Sequence, residues 1–224
     1  MSVAFVPGTD YGIRWVEGSG AWYAKGNGFP HWQHKTVPLI KSHLEIEYGI
    51  DDAIDEAGIS SDADRVMHDA TLRFAVDFAG AFAGYLHPGE IKILGATILI
   101  TRPPPLVAPV EGECELAWNF MTRGFTVPDQ ADAFLGWMQS AALSLRYDEP
   151  GTWRHGQALT LIGNPGDGKT SMQKFIITPL LAGRFCDPTK YLTDRTEFNE
   201  QLGEAEHWLM SDPPGRRSEA FLGG

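Results

Sequence analysis

The chain has 224 residues, 43% hydrophobic and 21% charged, enough for one large or two small domains with a sizeable core. The net charge of −11 excludes a generally adhesive nucleic-acid surface, and no apolar run approaches the ~20 residues of a membrane span. The opening MSVAFVPGTDYGIRW lacks the basic lead and apolar core of a signal peptide. Two distant cysteines, Cys114 and Cys186, read as small buried hydrophobes, and a reducing cytoplasm is the expected location. The charge is uneven. Residues 1–154 carry 11 basic and 20 acidic groups, net −9, whereas residues 155–224 carry 7 and 9, net −2.

The first thirty-five residues are rich in glycine and aromatics (Trp15, Trp22, Tyr23, Phe29, Trp32), and alternation in GIRWVEG and AWYAKG predicts short strands with glycine turns. Thr36 is placed to cap a helix with Pro38 in its first turn and Leu39, Ile40, His43 and Leu44 on one face. A second helix is expected from Ser61. Ser61 and Asp64 form a capping box, and Ala63, Val66, Met67, Ala70 and Phe74 follow helical spacing. EIKILGATILIT reads as a hairpin turning at Gly95. The run Pro103 to Pro105 suits neither a central strand nor a helix interior, so a module boundary is expected there. Beyond it, Asp129 is placed as the cap of a helix with a core stripe of Phe134, Trp137, Met138, Ala141 and Leu145. DEPGTW, at 148–153, reads as a loop.

The chemistry-bearing stretch follows. Ala158–Ile162 is expected to be a buried strand, Ser171–Leu181 a helix, and between them runs Gly163-Asn164-Pro165-Gly166-Asp167-Gly168-Lys169-Thr170. This is the full G-x-x-x-x-G-K-[ST] pattern of a phosphate-binding loop. Glycines let backbone N–H groups converge on phosphate oxygens without Cβ clashes. The Lys169 ammonium suits the β- and γ-phosphates, the Thr170 hydroxyl suits Mg²⁺, and the helix that begins near Ser171 directs its positive end at the anion. Asp167 is a smaller oddity, a carboxylate that adds like charge near phosphate, and it is discounted because that side chain is expected to point outward. Such a loop also needs an acidic metal partner at the end of a neighbouring strand. Asp212, closing the apolar run Trp208-Leu209-Met210 and 43 residues after Lys169, is the candidate. Lys190–Thr193 is expected as an intervening strand and Thr196–Leu202 as a short helix.

Other clusters are weaker. His31, His34 and His43 lack a cysteine or carboxylate to complete a ligand set and read as packing residues. Asp51, Asp52, Asp55 and Glu56 read as a solvated loop or helix start.

From Leu159 to Asp212 the chain resembles the ATPase core of phage and plasmid primase-helicases, which are superfamily 3-type helicases. The family's ITPLLGGR, YLTG.T.FN and AEHLMIEDE segments have counterparts, in order, at Ile177–Arg184, Tyr191–Asn199 and Ala205–Asp212. Upstream, VDFAGAFAGY at 76–85, the hairpin ending ILIT and WRHGQAL before the loop extend the likeness to about residues 70–212.

The resemblance implies an α/β fold: a P-loop NTPase core of ASCE/AAA+-like type over 155–224, incomplete at its C-terminal side. A mixed α+β module (1–105) and a helical segment (112–150) would precede it. It implies ATP and Mg²⁺ as cofactors, single-stranded or forked DNA as partner, and a ring homo-oligomer for the full-length family. By resemblance, residues 163–171 (ending in Ser171) hold the triphosphate, Lys169 and Asp212 are catalytic, and Thr170 and Asp212 hold the metal. Pro213 stands where the family has a water-orienting Glu, and Arg216-Arg217 is similar to a later RARR run. The family's sensor Asn and arginine finger would follow beyond residue 224. A chain that binds nucleotide but hardly turns it over is therefore expected, with weak DNA affinity. The alternatives are a catalytically defective nucleotide-binding remnant or interaction protein, and a small P-loop kinase, although no arginine-rich lid follows residue 171.

Overall fold

The computed structural model of the chain describes residues 6–26, 29–54, 58, 60–125, 127–145, 156, 158–192 and 200–210. Contacts divide the chain into two compact units, residues 1–81 with 87–103 and residues 82–86 with 104–224, so the change of unit falls inside the proline run. The class is mixed α/β. Among the described residues the strands form three small sheets, two of them mixed in direction and one parallel.

In the first unit, β1 (Ile13–Val16) and β2 (Ala21–Gly26) pair antiparallel, as the alternation predicts. β3 (Phe29–Lys35) flanks β2, and β4 (Ala75–Val76) runs parallel to β1, giving the order β3-β2-β1-β4. Two helices supply the core. In α1 (Val37–Tyr48), Ile40 and Leu44 are fully buried, and Gly49 ends the helix in a left-handed conformation at φ 68°. Leu39 departs from expectation. It is 52% exposed, because one residue of helix turns it about 100° from Ile40. Thr36 occupies the N-cap but its side chain makes no capping bond. In α2 (Asp62–Arg73) the expected capping box is present. The Asp64 N–H donates to Ser61 Oγ at 3.1 Å, and the Ser61 N–H donates to Asp64 Oδ2 at 3.2 Å. Ala63, Val66, Met67 and Ala70 are buried against Ile13, Trp22, Ile40, Leu44 and Ile50, with Phe74 packed at the edge.

The second sheet contains the expected hairpin, β6 (Gly89–Ile93) and β7 (Ala96–Ile100), with β5 (Phe78–Gly80) parallel to β7. Its two-residue turn has positive φ at both positions, 50° at Leu94 and 90° at Gly95, the pattern of a type I′ turn.

In the second unit, α3 (Glu115–Gly124) precedes α4 (Pro128–Ser144). Asp129 lies in the first turn of α4 rather than at its cap. Pro128 has the fixed φ of a first helical residue and holds Val127 extended, so Val127 is the N-cap. The expected stripe is core. Phe134 is buried with Ile177 and Leu181, and Trp137, Met138, Ala141 and Leu145 pack around them. DEPGTW lies outside the described residues.

Ala158–Ile162 belongs to no strand. Leu159 packs into the Phe134 cluster, but Ile162 is 93% exposed, and no described neighbour supplies a hydrogen-bonding edge. An apolar run is compatible with a strand and does not by itself create one. The helix after the loop forms as expected: α5 (Lys169–Met172) continues through a π-helical turn (Gln173–Ile177) into α6 (Thr178–Leu180). Lys190–Thr193 is corrected. Its described part lies in helix α7 (Thr189–Leu192), started by an Asp187-Pro188 turn in which the Thr189 N–H donates to Asp187 Oδ1 at 2.9 Å. The strand between the loop helix and the Asp212 run is instead β8 (Phe185–Cys186), parallel to β9 (His207–Trp208). Of the expected helix at 196–202, residues 200–202 lie in α8 (Glu200–Glu204), and 193–199 are outside the described residues. No described helix is long and apolar enough to cross a membrane.

Candidate functional site

Residues 163–168 are exposed and lead directly into α5. Two glycines shape the turn, Gly166 at φ 92° and Gly168 at φ 78°, and the space where a Cβ would stand on either is open. Gly168 is the N-cap of α5 and, unlike Ser61, has no side chain to close the helix start. The N–H groups of Gly168, Lys169, Thr170 and Ser171 find no backbone acceptor among the described residues. A left-handed residue followed by a helical turn makes successive N–H groups converge into an anion-binding concavity. Lys169 reaches back over the loop, donating from Nζ to the carbonyl oxygens of Gly163 at 2.9 Å and Asn164 at 2.8 Å. The Asp167 N–H donates to Asn164 O at 3.3 Å, closing the turn across Pro165. Thr170 and Ser171 are exposed on the first helical turn.

Asp167 is folded back on the loop's first glycine. Its Oδ2 lies 2.7 Å from the point a Cβ on Gly163 would occupy, so position 163 tolerates no side chain unless Asp167 moves.

The base of this region is held firmly. Thr178 Oγ1 and His207 Nδ1 are 2.7 Å apart in a buried hydrogen bond, linking α6 to β9, and burial pushes the His207 pKa down. Arg184 donates from Nε to Glu206 Oε2 at 2.8 Å and from Nη2 to Glu206 Oε1, with the Glu206 side chain fully buried. Beyond β9, the Leu209 N–H donates to Cys186 O at 2.9 Å, extending the pairing toward position 212. Asp212, Pro213, Arg216 and Arg217 lie outside the described residues, so the structure places the loop residues together and does not place Asp212 with them.

These groups fit a phosphate. The glycine positions are open, the first-turn N–H groups lack acceptors among the described residues, and the ammonium is parked on carbonyls that an anion would replace. The remaining candidates do not assemble. His31 and His34 are exposed on β3, His43 is on α1, and no group of three or more metal-ligating side chains occurs among the described residues. Asp52 accepts from Lys41 and Ser61. Cys114 is exposed, against expectation, and Cys186 is buried.

Sequence reasoning missed three links. Arg14 is buried in β1, donating to both carboxylate oxygens of Asp10 at 2.7 Å and to Glu90, and it lies over Trp32 and Phe74. The Arg14 guanidinium holds the Asp10 carboxyl below its usual range. The Thr178–His207 and Arg184–Glu206 links were also unseen. All four of those residues lie in two of the three ordered segments compared above, 177–184 and 205–212.

Comparison with protein-family models, with curated proteins and with solved structures returned no match.

Proposed function

We propose that this chain is the nucleotide-binding core of a phage-type primase-helicase and that residues 163–171 hold the phosphates of ATP with Mg²⁺. The observation that carries the reading is the complete motif with its loop geometry: left-handed glycines, an open helix start and Lys169 folded over the cradle. Lys169 exchanges the carbonyls of Gly163 and Asn164 for phosphate oxygens. The amides of Gly168 to Ser171 orient the anion, and the Thr170 hydroxyl is the metal ligand on the helix. Mg²⁺ held by Thr170 would supply neutralisation of charge developing on the transferred phosphoryl group. Asp212, by resemblance, is the second metal-side carboxylate. DNA as partner and a ring of identical subunits belong to the same reading and rest on the ordered sequence segments alone. The deciding experiment is calorimetric titration with Mg·ATP. Lys169→Ala removes a charge-assisted contact and should weaken binding by about 1.5–3 kcal/mol. Equal affinity in both chains would overturn the phosphate-cradle assignment.

A second reading, nucleotide binding without turnover, is favoured by Pro213. Proline directly after Asp212 has no group to orient an attacking water. Phosphate release by the unmodified chain should stay near background with or without single-stranded DNA. Turnover near one per second would eliminate this reading while leaving the cradle intact.

A further inference from the structure

Asp167 and Lys169 approach the same residue from opposite sides of the charge scale. The Asp167 Oδ2 lies 2.7 Å from the Cβ position of Gly163, and Lys169 Nζ lies 2.9 Å from the Gly163 carbonyl oxygen. Summing those contacts with standard bond lengths puts carboxylate and ammonium within about 10 Å of each other. They form no ion pair, and the Asp167 side chain has no hydrogen-bond partner among the described residues. An anion that takes over Lys169 therefore comes to rest near an unneutralised carboxylate, at a separation comparable to the ~8 Å screening length of physiological salt.

We propose that Asp167 is a specificity-determining residue that makes the loop prefer metal-loaded over metal-free nucleoside phosphate. The proposal rests on the phosphate-binding reading above. Binding one divalent cation lowers the charge of a nucleoside triphosphate from about −4 to about −2 and so halves its repulsion with Asp167. For an exposed site about 10 Å away, that difference amounts to roughly 1.5-fold in affinity with full salt screening and about fourfold without it. A side chain without charge at 167 removes the distinction. The loop geometry does not require the acid: the Asp167 backbone N–H closes the turn on Asn164, and its side chain only packs against Gly163.

The test is calorimetric titration of the full chain with ATP in excess Mg²⁺ and with ATP in EDTA, for the unmodified protein, Asp167→Asn and Lys169→Ala. Asp167→Asn should tighten metal-free ATP roughly 1.5- to fourfold more than Mg·ATP. The ratio of the two affinities then shrinks, and it shrinks less at 0.5 M salt. An unchanged ratio in Asp167→Asn overturns the proposal and leaves the phosphate site standing. Failure of the unmodified chain to bind ATP in either buffer, or Lys169→Ala binding as well as the unmodified chain, overturns the site and the proposal together.

Discussion

At Ser61 the first turn of α2 is closed by its own side chains, and at Gly168 the first turn of α5 is left open. Both are helix starts with unsatisfied N–H groups and a positive end. In α2 the Ser61 hydroxyl and the Asp64 carboxylate exchange hydrogen bonds with each other's backbone, Lys41 draws the Asp64 pKa down, and the serine is fully buried. In α5 the cap is a glycine, the loop before it is exposed, and the Lys169 ammonium rests on loop carbonyls. The open form forgoes only about a few tenths of a kcal/mol of capping, because glycine is itself a tolerated cap, and it leaves N–H groups that a bound anion would satisfy.

The open loop is nonetheless mounted on a closed base, and the largest expected effect tests that base. Arg184→Ala leaves the fully buried Glu206 carboxylate without its ion-pair partner, and should destabilise the second unit by about 3 kcal/mol in urea unfolding. A loss below ~0.5 kcal/mol would mean that β8 and β9 are held by their backbone alone. Next in size is Ser61→Ala. Losing the cap should lower stability by about 1–2 kcal/mol while leaving Mg·ATP affinity unchanged. Were Ser61→Ala to weaken nucleotide binding as Lys169→Ala should, the distinction between the two helix starts would dissolve.

What could be read from the sequence was local. The capping box needs only Ser61, Asp64 and twelve residues of helical spacing, and it formed. The hairpin needs two β-branched runs and Gly95, and it formed. Leu94 at φ 50° was not legible, because the Ile93–Ala96 register imposes that conformation on a residue type that ordinarily avoids it. The loop's left-handed glycines and the helix after it were legible because each answers a local requirement. Strand identity was not, because a strand exists through a partner distant in sequence. Ala158–Ile162 has the right composition and no described partner. Phe185–Cys186 has only two residues of pattern and pairs with β9. In residues 190–192 the Asp187-Pro188 helix start outweighed the apolar composition. Arg14 shows the same limit. Its partner Glu90 is 76 residues away, and nothing in GIRWVEG marks the arginine as buried.

The most direct measurement is backbone amide hydrogen exchange at the two helix starts, with and without saturating Mg·ATP. The amides of Gly168 to Ser171 should exchange rapidly in the free chain and become protected when nucleotide binds. Those of Asp62 to Arg65 should be unchanged by nucleotide. Saturating Mg·ATP that leaves residues 168–171 unprotected, or that protects the start of α2 instead, would contradict the claim that the open helix start at Gly168 is the phosphate site.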